Sequence, residues 1–210
     1  MSTVEKLVDS IKPKANPVLL DLVLQNIQET LLAKIDWLDY AFGRAYKNVK
    51  YENGGRKYIY PAVYVNDGEY IDMTPNDNLG NFTWFDIYDP QIVELGTRGA
   101  PVFSYSGALV LWCNQERIFG NSDFVYLEEL KQQILEVLQS PGILSYGKVL
   151  PLRVYDRFEN IYKGYTIEKV YNTFLYSGED IQYVDKMFFM HPYAGLRFEL
   201  NLKIQKINVC

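Results

Sequence analysis

The sequence predicts an α+β fold: a mixed, mainly antiparallel sheet flanked by two amphipathic helices, with an inserted β-rich or irregular segment. Three observations carry this. Near the C-terminus, Leu196, Phe198, Leu200, Leu202 and Ile204 alternate strictly with Arg197, Glu199, Asn201 and Lys203. Strand side chains point to opposite faces in turn, so this reads as a half-buried closing strand with one wet face. Near the other end, Leu20, Val23, Leu24, Ile27, Leu31, Ile35, Leu38 and Phe42 recur at spacings of three and four, the stripe of an amphipathic helix. Finally, the order runs helix, several strands, helix, strand-rich region, final strand. Such runs fit helices gathered on one face of a sheet better than a doubly wound parallel sheet.

Element by element, residues 1–15 read as an N-terminal arm or short helix ending at Pro13, and residues 16–210 as a single domain. Asn16-Pro17 predicts the start of the main helix, because Asn caps well and Pro is tolerated in the first turn. Its stripe extends six or seven turns, through Phe42 to Gly43. Asn53-Gly54-Gly55 marks a turn. Tyr58 to Val65 is β-rich, and Pro61 pushes it toward a sheet edge or a bulge. Asn66-Asp67-Gly68 is a hairpin-type turn into Glu69 to Asp72. A polar loop over 73–81 precedes the strand Phe82 to Tyr88, which Asp89-Pro90 breaks. Val102 to Cys113 is a long apolar strand in which Gly107 predicts a bulge or a close approach. The second helix starts at Asn121-Ser122-Asp123, carries Leu127, Leu130, Ile134, Val137 and Leu138, and stops at Pro141-Gly142. Within the insertion at 143–185, Val149 to Tyr155 suits a strand, while Ile161 to Tyr176 fits helix and strand equally.

Hydrophobic residues make up 48% of the chain, enough for a substantial core, and charged residues 22%. Aromatic content is 15%, including 18 tyrosines. Tyrosine pairs an apolar ring with a polar tip, which suits half-wet strands, loops and surfaces facing a partner subunit. The net charge of −5 and the absence of a basic run argue against a surface that grips nucleic-acid phosphates. The two cysteines, Cys113 and Cys210, form no CxxC pair, so a reduced intracellular protein is expected. No apolar run approaches the roughly 18 residues of a membrane span, and Met1 to Lys6 does not open a signal peptide. A soluble protein made in a cytoplasm is expected.

Motifs for chemistry are sparse. His191 is the single histidine and precedes Pro192, with no nucleophile motif beside it. Ser104-Tyr105-Ser106-Gly107 lacks the first glycine of a nucleophile elbow. Neither GxxxxGK[ST] nor GxGxxG occurs, and Gly96 and Gly99 serve a turn. Asp67, Glu69 and Asp72 gather near a hairpin and Asp86 and Asp89 flank a strand. Paired carboxylates could hold a divalent metal or cleave glycosides, but turn chemistry accounts for them more simply. Glu128-Glu129 suits a solvated helix face. Trp84-Phe85 and Trp112 could stack on a carbohydrate, although core packing explains such rings more economically. No catalytic, cofactor-binding or metal residue is assigned, and no cofactor is expected.

The order of elements brings in a family. A long first helix precedes Tyr60-Pro61-Ala62-Val63. A central strand, Ala108 to Trp112, leads to the helix Leu127 to Leu138, and the chain closes on Gly195 to Leu202. Over residues 17–140 and 187–206 this resembles the tail-terminator and tail-completion proteins of tailed double-stranded DNA phages, including the related ring proteins of the head-to-tail neck. The resemblance implies a non-enzymatic virion protein made in the host cytoplasm. It also implies a homo-oligomeric ring, six- or twelve-fold, built by repeating one heterologous interface. Its partners would be adjacent portal, neck or tail proteins, with DNA passing through without sequence-specific contact and no membrane involved. The chain is longer than typical members, through residues 143–185 and the stretches 73–81 and 89–101. The alternative expectation is a carbohydrate- or peptide-binding module using Tyr and Trp surfaces.

Overall fold

The computed structural model describes residues 15–51, 57–65, 68–74, 79–89, 91–96, 101–120, 124–140, 148–165 and 191–205. The arm at 1–14, the turn at 53–55, Asp67, Pro90, Asn121 to Asp123, Pro141-Gly142, residues 166–185 and Cys210 lie outside the described residues. In chain order the elements are α1 (Leu20–Lys34), β1 (Tyr40–Arg44), β2 (Tyr46–Tyr51), β3 (Lys57–Tyr64), β4 (Tyr70–Asp72), β5 (Phe82–Ile87) and β6 (Ile92–Leu95). Then follow β7 (Pro101–Asn114), α2 (Gln115–Phe119), α3 (Leu127–Leu138), β8 (Lys148–Tyr155), α4 (Phe158–Ile161) and β9 (Tyr193–Gln205). The fold is α+β, with a mixed and mostly antiparallel sheet.

The main sheet has the order β1-β5-β7-β9-β8, and β6 also pairs with β7. Its β1–β5 pair is parallel and its other pairs are antiparallel. One face meets α1 and α3: Leu24, Ile27, Leu31, Leu130, Ile134 and Leu138 pack with Leu109, Leu111, Leu196, Phe198 and Leu200. The other face is partly covered by a small sheet, β2-β3-β4, and by the segment around α4. There Phe42, Trp84, Val110, Trp112, Ile161 and Tyr162 form a second core. The domain is therefore three layers deep over much of its length.

Several expectations need correction. The first helix is shorter than its stripe. It begins at Leu20, after Leu19 at φ 48°, and not at Asn16, which is exposed. It ends at Lys34, where Ile35 is already extended. Leu38 still joins the helix-side core, but Phe42 packs in the opposite core, the signature of a strand. Asn81 accounts for the switch. Its side-chain amide donates to the Trp37 carbonyl (2.8 Å), and its backbone N–H donates to the Asp39 carboxylate (2.7 Å). Those bonds fix an extended entry into the β-prone run Tyr40-Ala41-Phe42.

Pro61 sits in the middle strand of the small sheet, and not on an edge. Its carbonyl accepts from Met73 N–H, so that side of Pro61 faces the first residue beyond β4, where no ladder donor is required. β2, β6 and α2 were not expected. β6 falls within the predicted long stretch 89–101, and α2 separates the central strand from α3.

Gly107 marks a close approach, with β5 and β7 in regular register. A Cβ there would meet the Asp86 carbonyl oxygen at 2.6 Å. Within 143–185, residues 148–155 form the strand outside β9, and Ile161, Tyr162 and Tyr165 are buried in the second core.

Candidate functional site

Several residues with catalytic potential are engaged in structure. Asp72 accepts from Asn48 Nδ2 (3.2 Å) and pairs with Lys50 Nζ, so a cation already occupies its surroundings. Among the described residues no three His, Cys, Asp or Glu side chains gather to hold a metal. Glu128 is bound by Lys131 at 2.7 Å on the solvated side of α3. Ser106 donates to Asn201 Oδ1 (2.9 Å) within the β7–β9 ladder. Trp84, Phe85 and Trp112 are all buried, so these rings offer no stacking platform. Burial pushes the Cys113 thiol up to about 12, leaving it protonated and inert at neutral pH.

His191 is exposed beside a cavity of about 190 Å³, lined in part by Trp112, Gln115, Asp156 and Tyr193. Two of the polar groups there are satisfied from within the protein. Gln115 Oε1 accepts from Tyr126 N–H (2.7 Å), and Asp156 accepts from Lys131 Nζ (2.9 Å). The Lys131 hydrogen bond holds the Asp156 carboxyl below its ordinary range.

The polar row of the closing strand is not uniformly wet. Arg197 is fully buried. Its guanidinium donates to Asp86 Oδ2 (2.7 Å), to the Ile161 carbonyl (2.8 Å) and to the Tyr88 hydroxyl. Tyr165 donates to the other Asp86 oxygen at 2.9 Å. Burial opposes the arginine's charge, but Asp86 and Tyr88 outweigh it and hold its pKa above the ordinary value. Burial, then the Asp86 charge, pushes the Tyr165 phenol strongly upward. This network ties β5, β9 and the α4 segment together. Further along the row Glu199 pairs with Lys163 (3.1 Å), and Lys203 is exposed.

Two of the surfaces the molecule offers to solvent are aromatic or apolar. On β3, Tyr58, Tyr60 and Tyr64 share one face by alternation. Tyr46 of β2 stands opposite Ala62, and Tyr70 of β4 opposite Tyr64. Tyr46, Tyr64 and Tyr70 are 49%, 44% and 52% exposed, so their rings are half available to a partner. The Tyr64 and Tyr70 rings meet edge to face at 5.4 Å, and Arg44 and Lys50 lie over Tyr46 and Tyr60 at 5.4 and 5.6 Å. β6 is the second exposed feature: Ile92, Val93 and Leu95 are 54%, 60% and 87% exposed. Sequence reasoning anticipated tyrosines on sheet surfaces but missed β2 and β6. Tyr58-x-Tyr60 carried the period-two signal for the first surface; four residues of β6 were too few to show any period.

No protein-family model matches the chain, and no curated protein matches it in sequence. No helix among the described residues is long and apolar enough to cross a membrane.

Proposed function

We propose that this chain is a non-enzymatic assembly subunit. In its specific form, it is a virion protein that builds a ring at the head-to-tail neck or tail top of a tailed phage, around the DNA channel. The observation that carries the assembly reading is the pairing of a rigid three-layer body with two exposed surfaces, the tyrosine face of β2-β3-β4 and the apolar edge strand β6. Tyrosine contributes large contact area at low entropic cost, and exposed apolar strand edges are templates for pairing with another chain. The phage setting rests on the order of elements. Three ionisable residues with the potential for chemistry, Asp72, Asp86 and Asp156, are each held by a basic partner, which suits a scaffold.

The test is mass in solution, alone and mixed with portal, neck and tail proteins encoded beside this chain. A ring-sized species, seen by native mass spectrometry and as an annulus by electron microscopy, is the expected result. A protein that stays monomeric in every mixture overturns the reading. A carbohydrate- or peptide-binding module is the second reading. The exposed tyrosines favour its peptide form, because the tryptophans proposed for stacking are interior.

A further inference from the structure

Two of the outer strands of the main sheet, β6 and β8, are complementary. Both are edges: β6 pairs with β7 and β8 with β9, and among the described residues neither has a partner on its other side. β1 does not cover β6, because it ends level with Leu109 through Arg44–Phe85–Leu109, several residues short of the β6 pairing that starts at Ser104. The first half of β8 is protected against further pairing by Pro151 and by a register shift between Pro151 and Arg153. Its second half, Arg153-Val154-Tyr155, has no such protection.

We propose that β6 of one copy pairs with the second half of β8 of the next, so that the main sheet continues from subunit to subunit. This rests on the assembly reading above in taking a second copy as the occupant. Direction, face and charge all support it. β6 runs antiparallel to β7, and β8 runs in the same direction as β7, being antiparallel to β9. A copy set alongside by rotation about an axis well short of perpendicular to the strands therefore presents β8 antiparallel to β6, without being inverted.

The faces match as well. Glu94 is level with Val102 and Gln205, and Val93 with Phe103 and Ile204. Val93 thus lies on the helix side of the sheet and Ile92 and Glu94 on the opposite side. On β8, Val154 is level with Phe198 on the helix side, while Arg153 and Tyr155 are level with Glu199 and Arg197 on the other. One register satisfies everything: Ile92 opposite Tyr155, Val93 opposite Val154, and Glu94 opposite Arg153. It sets aromatic against aliphatic, aliphatic against aliphatic and acid against base, the favourable cross-strand pairs. Glu94 and Arg153 are both exposed and positioned to meet.

The register also implies a tilt. Glu94 is level with Val102 on β7 and Arg153, through Glu199, with Ala108, so the junction is staggered by six residues. Six residues span about 20 Å along a strand, and four strands about 19 Å across the sheet. The strands would incline about 45° to the assembly axis, at the upper end of the range that closed sheets adopt. A flat stack would need no stagger; this one suits closure into a ring.

The experiment uses the full chain with Cys210→Ser and a short bis-maleimide cross-linker. Buried Cys113 stays out of the reaction. The Glu94→Cys, Arg153→Cys double variant should give a ladder of covalent species rising to the ring size, while either single variant alone should give none. Independently, Glu94→Arg or Arg153→Glu should weaken assembly about tenfold, and the two charge reversals together should restore it. Both sites are exposed, so circular dichroism should report unchanged folding. Cross-linked dimers from Glu94→Cys alone would mean β6 pairs with itself and would overturn the proposal. Native-like assembly with neither cross-linking nor charge dependence would overturn it too, leaving the assembly reading intact. A monomer in every mixture would remove both.

Discussion

The two ends of the β7–β9 ladder share one pairing pattern and have opposite surroundings. Thirteen residue pairs run without a register shift from Val102–Gln205 to Asn114–Tyr193. At one end, Val110–Arg197 and Leu111–Leu196 are buried on both faces. At the other, Lys203 stands in solvent and the adjoining strand β6 is exposed throughout. Arg197 and Lys203 hold equivalent places in one polar row, yet the first has no exposed surface. The difference lies in what covers the sheet. The small sheet and the α4 segment reach over one end only. Alternation therefore reports which residues share a face, and the layer above decides what that face meets.

The sharpest way to break this comparison is to remove the partner of the buried charge. Asp86→Ala should cost about 3–5 kcal/mol in urea denaturation, because it leaves the Arg197 guanidinium buried and uncompensated. Replacing both residues by leucine should cost less than Asp86→Ala alone, since the desolvated charge leaves with its partner. Equal losses would mean the ion pair is not the reason this end of the ladder holds.

Next in size is Gly107→Ala. Its Cβ would press on a backbone oxygen that cannot rotate away, and a loss of about 1–3 kcal/mol in the same assay is expected.

A smaller, pH-dependent effect should also separate the ends. Burial raises the phenols of Tyr88 and Tyr165 above the ordinary value of 10.0. Unfolded tyrosine releases its proton near that pH while the folded protein retains it. Their contribution is therefore complete below about pH 10 and is lost as pH climbs beyond it. Denaturation midpoints measured on either side of that pH should show the decline, and Tyr165→Phe should flatten it.

Least of all, Lys203→Ala should stay within about 0.5 kcal/mol of the wild type, as exposed positions do. A large loss there would contradict the account of the exposed end.

Much of the fold was legible because its signals are long. The closing strand, the long central strand and the stripe of α3 each repeat one period over enough residues to exclude the other. The first helix was overextended because Ile35, Leu38 and Phe42 happen to continue a helical spacing. The bonds from Asn81 that end it arrive from some forty residues away and leave no local trace. Arg197 was misread for a related reason. Asp86, Tyr88 and Tyr165 are scattered along the chain and meet only in the fold. The surfaces were partly visible: the tyrosine content was plain, but β2 and β6 are short and mix polar with apolar residues.

The same ladder sets a schedule during synthesis. Trp112 is paired with Gly195, which the ribosome adds 83 residues later. At roughly 5–20 residues per second that gap lasts about 4–17 seconds. Throughout it, one edge of the strand holding Leu109, Val110 and Leu111 waits for its partner. β5 can already occupy the other edge, since it is made first. The nascent chain is thus most prone to aggregation late in translation, and the arrival of β9 ends that exposure.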